Sequence, residues 1–485
     1  MNDSERALLA FVLRLANAFV VCTFFQPDEY FQSLEPAHRL VFGWGYLTWE
    51  WHHALRSIAH SLLYAIPYTM ARMLPYGERT LVLMGPKLVG AAIAASIDLA
   101  TARLARACFG REAAHVAFLL SLSSGWMFFA STRALSNTLE ALLTAAGLSF
   151  WPWTVSQDVR RTQKALLCAA MGCALRPTNG LIWMYLSLHH LWRQRVTLAF
   201  LLDAVWIGSS VLTINGILDT WYYGRPVFPP AKFFLFNFVD SSASFYGISG
   251  GAYYLLQGIP FLLLAALPHT IYASWILRSH PLVQAVVFVT AAYSCIPHKE
   301  IRFLFPLLAP LLAITANLLS RQGGRRVRWI LFSIFLINAL PAIFLSRVHQ
   351  RGVVDVVDYI AQQEFTSVGF LMPCHSTPWH ATIHRQDIDM WFLTCEPPLS
   401  VAREERETYV DEADRFYLDP ATFLAHFAKV HPAPEALVTF DATRGVVEDF
   451  LRKEGRDYVV CARFFNTYFH DDSRRRGDVL VFCQR

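Results

Sequence analysis

From Ala7 to Leu345 the chain is a series of apolar runs near membrane-spanning length, separated by short polar breaks. A hydrocarbon layer about 30 Å thick takes about 20 apolar residues in a helix to cross. Within that layer the backbone must satisfy its own hydrogen bonds, which leaves helices as the conformation open to such runs. The segments that read as spans are 7–25, 80–102, 112–130, 138–155, 164–175, 178–192, 197–214, 252–277, 281–297, 303–320 and 329–345. Composition enters as a check. Hydrophobic residues make up 54% and charged residues 16%, whereas a soluble domain carries about 25% charged residues. The deficit ends near Ser346, after which charges spread among short β-prone stretches. The expected fold class is mostly α: a polytopic membrane domain, 1–346, of about 11 transmembrane helices, then a C-terminal α/β domain, 347–485.

One more stretch, Ile58–Leu74, holds His60, Pro67 and Arg72, and it either crosses or lies along the interface. Arginine placement decides. With no crossing there, one set of loops collects Arg103, Arg106 and Arg111; Arg160, Arg161 and Lys164; Arg193 and Arg195; Arg278; and Arg321, Arg325, Arg326 and Arg328. That is the positive-inside pattern with this set cytosolic. A crossing at 58–74 would invert every later loop. The same parity places 26–57, 131–137, 176–179, 215–251, 297–302 and the terminal domain on the non-cytosolic side. The first run follows a single Arg6 and has no small-residue cleavage site, so it is read as a retained span. The net charge of +5 forms no basic stripe interleaved with aromatics, and nucleic acid is not an expected partner.

Three groups of residues on the non-cytosolic side carry chemistry. In the first loop, Asp28 and Glu29 follow Pro27 at the end of a span, with Glu35, Thr48, Glu50, Arg56, Trp44, Trp49 and Trp51 beyond. A carboxylate among aromatics at a membrane surface is partly desolvated, which suits a general base. The tryptophans fit either an aromatic belt or a surface for sugar rings. Second, His298, Lys299, Glu300 and Arg302 crowd a span boundary, where four ionisable groups are costly without a ligand or each other. Lys299 and Arg302 are spaced to address one anion if a helix starts here. Third, Arg133 with Asn137 and Glu140, and Arg176 with Asn179, add polar clusters on the same side; Arg176 interrupts an apolar run. Walker, Rossmann, HExxH and nucleophile-elbow motifs are missing from the sequence. Asp387-Ile388-Asp389 has the spacing of a metal-binding DxD but stands away from the membrane loops. Cys374, Cys395, Cys461 and Cys483 show no metal-ligand spacing, so no metal is expected; Cys374 and Cys395 would pair if their domain met an oxidising lumen.

The segments PDEYFQSLEPAH, GYLTWEW, LRS, TRALSNTLE, LRPTN and HKEIRF resemble the dolichol-phosphate-mannose-dependent mannosyltransferases of the endoplasmic reticulum, which have the GT-C fold. LMPCHSTPWHATIH (371–384) and DEADRFYLDP (411–420) resemble the branch that adds the third mannose of the glycosylphosphatidylinositol (GPI) core. The resemblance runs from about Phe24 to Phe469. It implies a multi-pass enzyme of the endoplasmic reticulum membrane, with its active site and C-terminal domain luminal. The implied partners are dolichyl-phosphate mannose, a GPI precursor glycolipid and the surrounding membrane lipids. It also implies inverting α1,2-transfer without a metal cofactor, Asp28 as base and Glu29 as its neighbour or alternate. His298, Lys299 and Arg302 would hold the donor phosphate, with Arg133, Arg176, Glu50, Arg56 and Trp49 lining the substrates. Many relatives read His-Pro-Asp-Glu where this chain has Gln26, so a relay through that position is not implied. A sister enzyme, adding the fourth GPI mannose or an N-glycan mannose, remains an alternative. A lipid or ion transporter is a further one, although it would carry its charges at mid-membrane on broken helices.

Overall fold

A computed structural model describes residues 2–74, 77–153, 158–193, 197–236, 247–399, 406, 408–430 and 432–485. Arg195 of the basic loops and residues 237–246 of the segment 215–251 lie outside them. The chain divides into two units: one comprises 1–20, 50–64 and 84–343, the other 21–49, 65–83 and 344–485.

Each apolar run of the first unit folds as helix. Five helices are long and apolar enough to cross a membrane: Glu78–Phe109, Leu198–Tyr223, Tyr254–Ile276, Ile301–Ser320 and Gly324–Gln362. They differ in what covers them. Most residues of the apolar stretch of Ile301–Ser320 are buried, whereas Leu198–Tyr223 is largely uncovered and turns Leu198, Val205 and Trp206 outward, as a helix bathed in lipid does. The remaining predicted spans correspond to Asp3–Val20, Ser136–Phe150, Val159–Leu175, Gly180–Trp192, Pro281–Ser294 and a broken pair, Arg111–Leu122 and Gly125–Ala130. The break in the run 112–130 has a local cause: Ser124 caps the second helix, its hydroxyl accepting from Met127 N at 3.3 Å. The ambiguous stretch contains the helix Leu62–Arg72, 11 residues with Pro67 inside. At 1.5 Å per residue that is about half the hydrocarbon thickness, too short to cross alone.

A buried ion pair joins two of these helices. Arg14 donates to both carboxylate oxygens of Asp98 at 2.8 Å, and Ser121 Oγ donates to the same carboxylate at 2.6 Å. A guanidinium and a carboxylate are tolerated there because the fork fits the two oxygens.

The second unit is built on a five-stranded mixed sheet: β1 Ser367–Leu371, β2 Asp389–Phe392, β3 Ala436–Phe440, β4 Tyr458–Thr467 and β5 Gly477–Gln484, in the order β2-β1-β3-β5-β4. β1 runs parallel to β2 and β3, and β5 is antiparallel to β3 and β4. The two-residue alternation of β5 serves two cores: Val479 and Val481 join one apolar cluster, Leu480 and Phe482 the other. Helices close both, Gly352–Gln362 contributing Val356 and Ile360 to the first, Arg444–Lys453 contributing Val447 and Leu451 to the second. Cys374 is bonded to Cys395 and Cys461 to Cys483, the second pair tying β4 to β5.

The expected boundary at 346/347 does not bound this unit by itself. The loop that leaves the first helix is part of it. Cys22 N donates to Ser346 O at 3.0 Å and Phe24 N to Gln350 O at 2.9 Å, while Phe24 and Phe31 are buried in the cluster of Val356, Phe370 and Val438. Two large aromatics in one short loop need a core, and the sheet face supplies it.

Candidate active site

Pro27 organises the segment that carries Asp28 and Glu29. Its carbonyl accepts from Tyr30 N at 3.0 Å and Phe31 N at 2.9 Å, so both acids sit in the first turn of a helix. That helix continues through a π turn, Tyr30–Leu34, into Glu35–Phe42. The first turn is the positive end of the helix dipole, where a carboxylate is favoured. Asp28 is half-buried and Glu29 is buried. The ring of His375 lies 4.4 Å from that of Phe31, and burial pushes this imidazole down to about 4 although the Asp28 charge works the other way. Trp49, predicted to line a sugar, is 7% exposed at the start of the short helix Trp49–His52.

Deeper in the same unit is a cluster that the sequence did not point out. Glu35 is fully buried; Oε1 accepts from Ala381 N at 2.7 Å and Oε2 has no hydrogen-bond partner among the described residues. Burial pushes its carboxyl up to about 8, so it holds its proton at neutral pH. His38 Nε2 is 2.9 Å from His384 Nδ1, and His380 Nδ1 is 3.9 Å from Glu35 Oε2. Burial, with His384 adding to it, lowers His38 to about 3; burial lowers His380 to about 4. Protonated acid and neutral imidazoles are how this pocket avoids buried charge.

The helical unit solves the same problem by pairing. Three arginines each hold a glutamate. Arg56 donates to Glu50 Oε1 at 2.6 and 3.1 Å. Arg176 Nε is 3.2 Å from Glu140 Oε2, and Arg302 grips Glu300 with two bonds of 2.7 Å. Both other guanidiniums are within electrostatic reach of Arg176: burial disfavours its charge, Glu140 supports it, and Arg302 and Arg56 oppose it. Arg176 and Arg302 both lie over the Phe303 ring, at 5.2 and 5.7 Å. Asn179 steadies Glu140, donating to Oε1 at 3.1 Å and to Thr144 Oγ1 at 2.8 Å. His298 joins through Nε2, 3.2 Å from Glu300 Oε1, and that hydrogen bond raises its pKa. Burial opposes the Glu300 charge, but Arg302 and His298 outweigh it and hold this carboxyl below its ordinary range.

Lys299, Arg302 and Arg133 each meet groups of their own unit. Lys299 and Arg302 do not address one point: Lys299 Nζ donates to Ser249 O at 2.8 Å while Arg302 holds Glu300. The cause is local backbone, since Glu300 is extended and Ile301–Leu304 is a 3₁₀ turn, so the α-helical spacing does not apply. Arg133 donates Nε to Phe129 O at 2.9 Å and lies over that ring at 4.8 Å, buried against its own helix end. Cys374, His375 and Cys395 bring their ligand atoms within 4.8 Å of one another. The sulfurs are bonded to each other, so this set offers no thiolate to a metal.

Comparison with known proteins gives the chain a family. Residues 7–384 match the Alg9-like mannosyltransferase family. GPI mannosyltransferase 3 of Yarrowia lipolytica is 41% identical, covering 97% of this chain and 95% of that protein. Its Candida albicans counterpart is 38% identical over 98% and 96%, and mannosyltransferase APTG1 of Arabidopsis thaliana 31% over 99% and 92%. Among solved structures, ArnT from Cupriavidus metallidurans bound to undecaprenyl phosphate superposes with a TM-score of 0.63 at 12% identity, covering 99% and 97%. An oligosaccharyltransferase from Archaeoglobus fulgidus gives 0.55 at 11%, covering 90% and 69%. At these identities the structures bear on the fold alone, which is GT-C.

Proposed function

Because the chain belongs to the Alg9-like mannosyltransferase family, we propose that it adds the third mannose of the GPI core, taking it from dolichyl-phosphate mannose. The chain is a glycosyltransferase of the membrane, and its relatives act in GPI biosynthesis by name. The observation that carries the reading is the 41% identity to a GPI mannosyltransferase 3 across 97% of the chain.

The chemistry balances as follows. Asp28 takes the proton of the acceptor 2-hydroxyl, with Glu29 as its neighbour or alternate. That oxygen bonds to C1 of the donor mannose from the side away from the phosphate. The C1–O bond breaks, and dolichyl phosphate leaves with the electron pair. A β-linked donor thus gives an α1,2 product. Arg302, Arg176 and Arg56 supply the positive field in which the leaving phosphate departs, with His298, Lys299 and Arg133 as further cations and Glu50 and Trp49 as supports. Charge supplied by guanidiniums makes a metal unnecessary to this scheme. The two disulfides support an active site in the oxidising lumen of the endoplasmic reticulum. The test is lipid analysis of cells lacking the protein. A GPI precursor with two mannoses should accumulate; accumulation of one with three mannoses would reassign the step.

A further inference from the structure

We propose that Asp219 and Tyr223 are positioning residues for Arg56, fixing from an otherwise lipid-facing helix the backbone that presents this guanidinium. This rests on the reading that Arg56 belongs to the positive field receiving the donor phosphate.

The helix Leu198–Tyr223 is apolar and largely uncovered, yet it buries two residues, and both are polar: Asn215 and Asp219. A carboxyl group on a membrane-spanning helix is costly, and where one is kept it faces the protein and marks a function. Asn215, Asp219 and Tyr223 recur every four residues, so they form one stripe along the helix. The stripe meets three consecutive residues of the first loop. Tyr223 OH donates to Arg56 O at 2.7 Å. Asp219 Oδ1 accepts from Ser57 Oγ and from Ile58 N, both at 2.9 Å. Asn215 Nδ2 holds the other carboxyl oxygen at 2.9 Å, and its Oδ1 is 3.2 Å from Ser57 Oγ.

The loop on the other side of Arg56 is as firmly set. Ala54 has φ +52°, a left-handed conformation that a non-glycine residue keeps only where neighbours impose it. Ala54 N donates to Trp51 O at 3.0 Å, Leu55 N to Glu50 O at 2.8 Å, and Lys232 Nζ to His53 O at 3.0 Å. From this frame the Arg56 guanidinium reaches Glu50 Oε1 with bonds of 2.6 and 3.1 Å and lies 5.7 Å from the centroid of the Phe233 ring. A guanidinium fork acts in a narrow range of directions, so the orientation of its own peptide sets what it can face. Tyr223 fixes that peptide directly, and Asp219 fixes the next two residues. Packing alone would be served at less cost by apolar side chains; what the carboxyl and the phenol add is direction.

The test is a donor titration in microsomes, corrected for protein abundance, for single variants and for the same variants combined with Arg56→Ala. Tyr223→Phe removes one hydroxyl and keeps the ring; Asp219→Leu removes both acceptors at similar size; Asp219→Asn keeps an acceptor. Expected is a rise in apparent KM for dolichyl-phosphate mannose of about threefold for Tyr223→Phe and about tenfold for Asp219→Leu, the range that lost hydrogen bonds give. Asp219→Asn should restore most of it, and KM for the glycolipid acceptor should stay unchanged. With Arg56 already absent, neither variant should add to the loss, since residues acting through one partner are not additive. Should Arg56→Ala be too slow to titrate, or Asp219→Leu fail to accumulate, the donor and acceptor KM of Tyr223→Phe decide. If Tyr223→Phe changes donor and acceptor KM alike, or costs as much with Arg56 absent as with it present, the stripe is structural and the inference fails. Two further outcomes separate the levels. Arg56→Ala with unaltered donor KM removes the reading of Arg56 and this inference with it; Arg56→Ala impaired while both stripe variants match the unaltered enzyme removes this inference alone.

Discussion

Three arginines of the helical unit stay charged beside glutamate partners, whereas burial keeps one cluster of the sheet unit neutral. Arg56, Arg176 and Arg302 each hold a glutamate. Glu35 keeps its proton instead, beside His38 and His380, which stay unprotonated. The difference suits two tasks. Guanidiniums held this way suit the standing positive field proposed for the donor phosphate, and the glutamates limit their mutual repulsion. Neutral acid and imidazole groups give a polar interior that orients neighbours without a field of its own. The comparison teaches that formal charge, counted from sequence, says little until packing decides which groups carry it.

The largest effect should come from Asp28, the half-buried acid of the proposed reactive turn. Asp28→Asn should lower mannosyl transfer by about 10²–10⁴-fold, the usual range for loss of a general base. Protein level and disulfides should stay normal. Near-normal activity in Asp28→Asn together with loss in Glu29→Gln would exchange their roles, as a microsomal assay of both variants would show.

A smaller effect should separate the standing field from simple anchoring. Arg302→Lys should raise the apparent KM for dolichyl-phosphate mannose and lower kcat, because a lysine cannot hold Glu300 through two bonds and still face a phosphate. Arg302→Ala should be worse, and affinity for the glycolipid acceptor should change little. A donor titration in which Arg302→Lys matches the unaltered enzyme would reduce this residue to a membrane-flank cation.

The smallest effect is a pH dependence of stability in the sheet unit. Glu35 rises from 4.5 unfolded to about 8 folded, so the folded state holds a proton the unfolded state has released. Its contribution is full below pH 4.5 and is lost as pH climbs through 8. His38 and His380, lowered from 6.5 to about 3 and about 4, act oppositely: their contribution is full above 6.5 and is lost as pH falls toward 4. Between pH 6.5 and 8 the slope should belong to Glu35. Hydrogen exchange across 380–384, where Ala381 N bonds the Glu35 carboxyl, should quicken over that window beyond its intrinsic pH dependence, and Glu35→Gln should flatten the excess. An unchanged slope in that variant would show Glu35 to be ionised.

Much of this was legible in the sequence. Apolar runs marked every long helix because in lipid the period and length of a segment nearly determine its conformation. Asp28, Arg176 and Arg302 were visible because charge at a span boundary is expensive. Three features were hidden. Glu35 and His380 are brought together by tertiary packing over 345 positions, and neither looks unusual in its local context. The divergence of Lys299 and Arg302 depends on an extended Glu300 that no pattern of residue types announces. The bond between Cys461 and Cys483 follows from strand register, since Cys461 occupies an irregularity in β4 against β5.

The membership of residues 21–49 in a unit completed by β5 has a consequence for biogenesis. Asp28 is made long before Gly477–Gln484, the strand that closes its surrounding core. Every helix between them is inserted first. The turn that carries Asp28 therefore completes its packing only when that strand arrives. A chain whose synthesis stops short of β5 would have its helices in the bilayer and no formed seat for its carboxylate. Completion of this core is thus a late event, and quality control that inspects the terminal sheet also inspects the turn that carries Asp28.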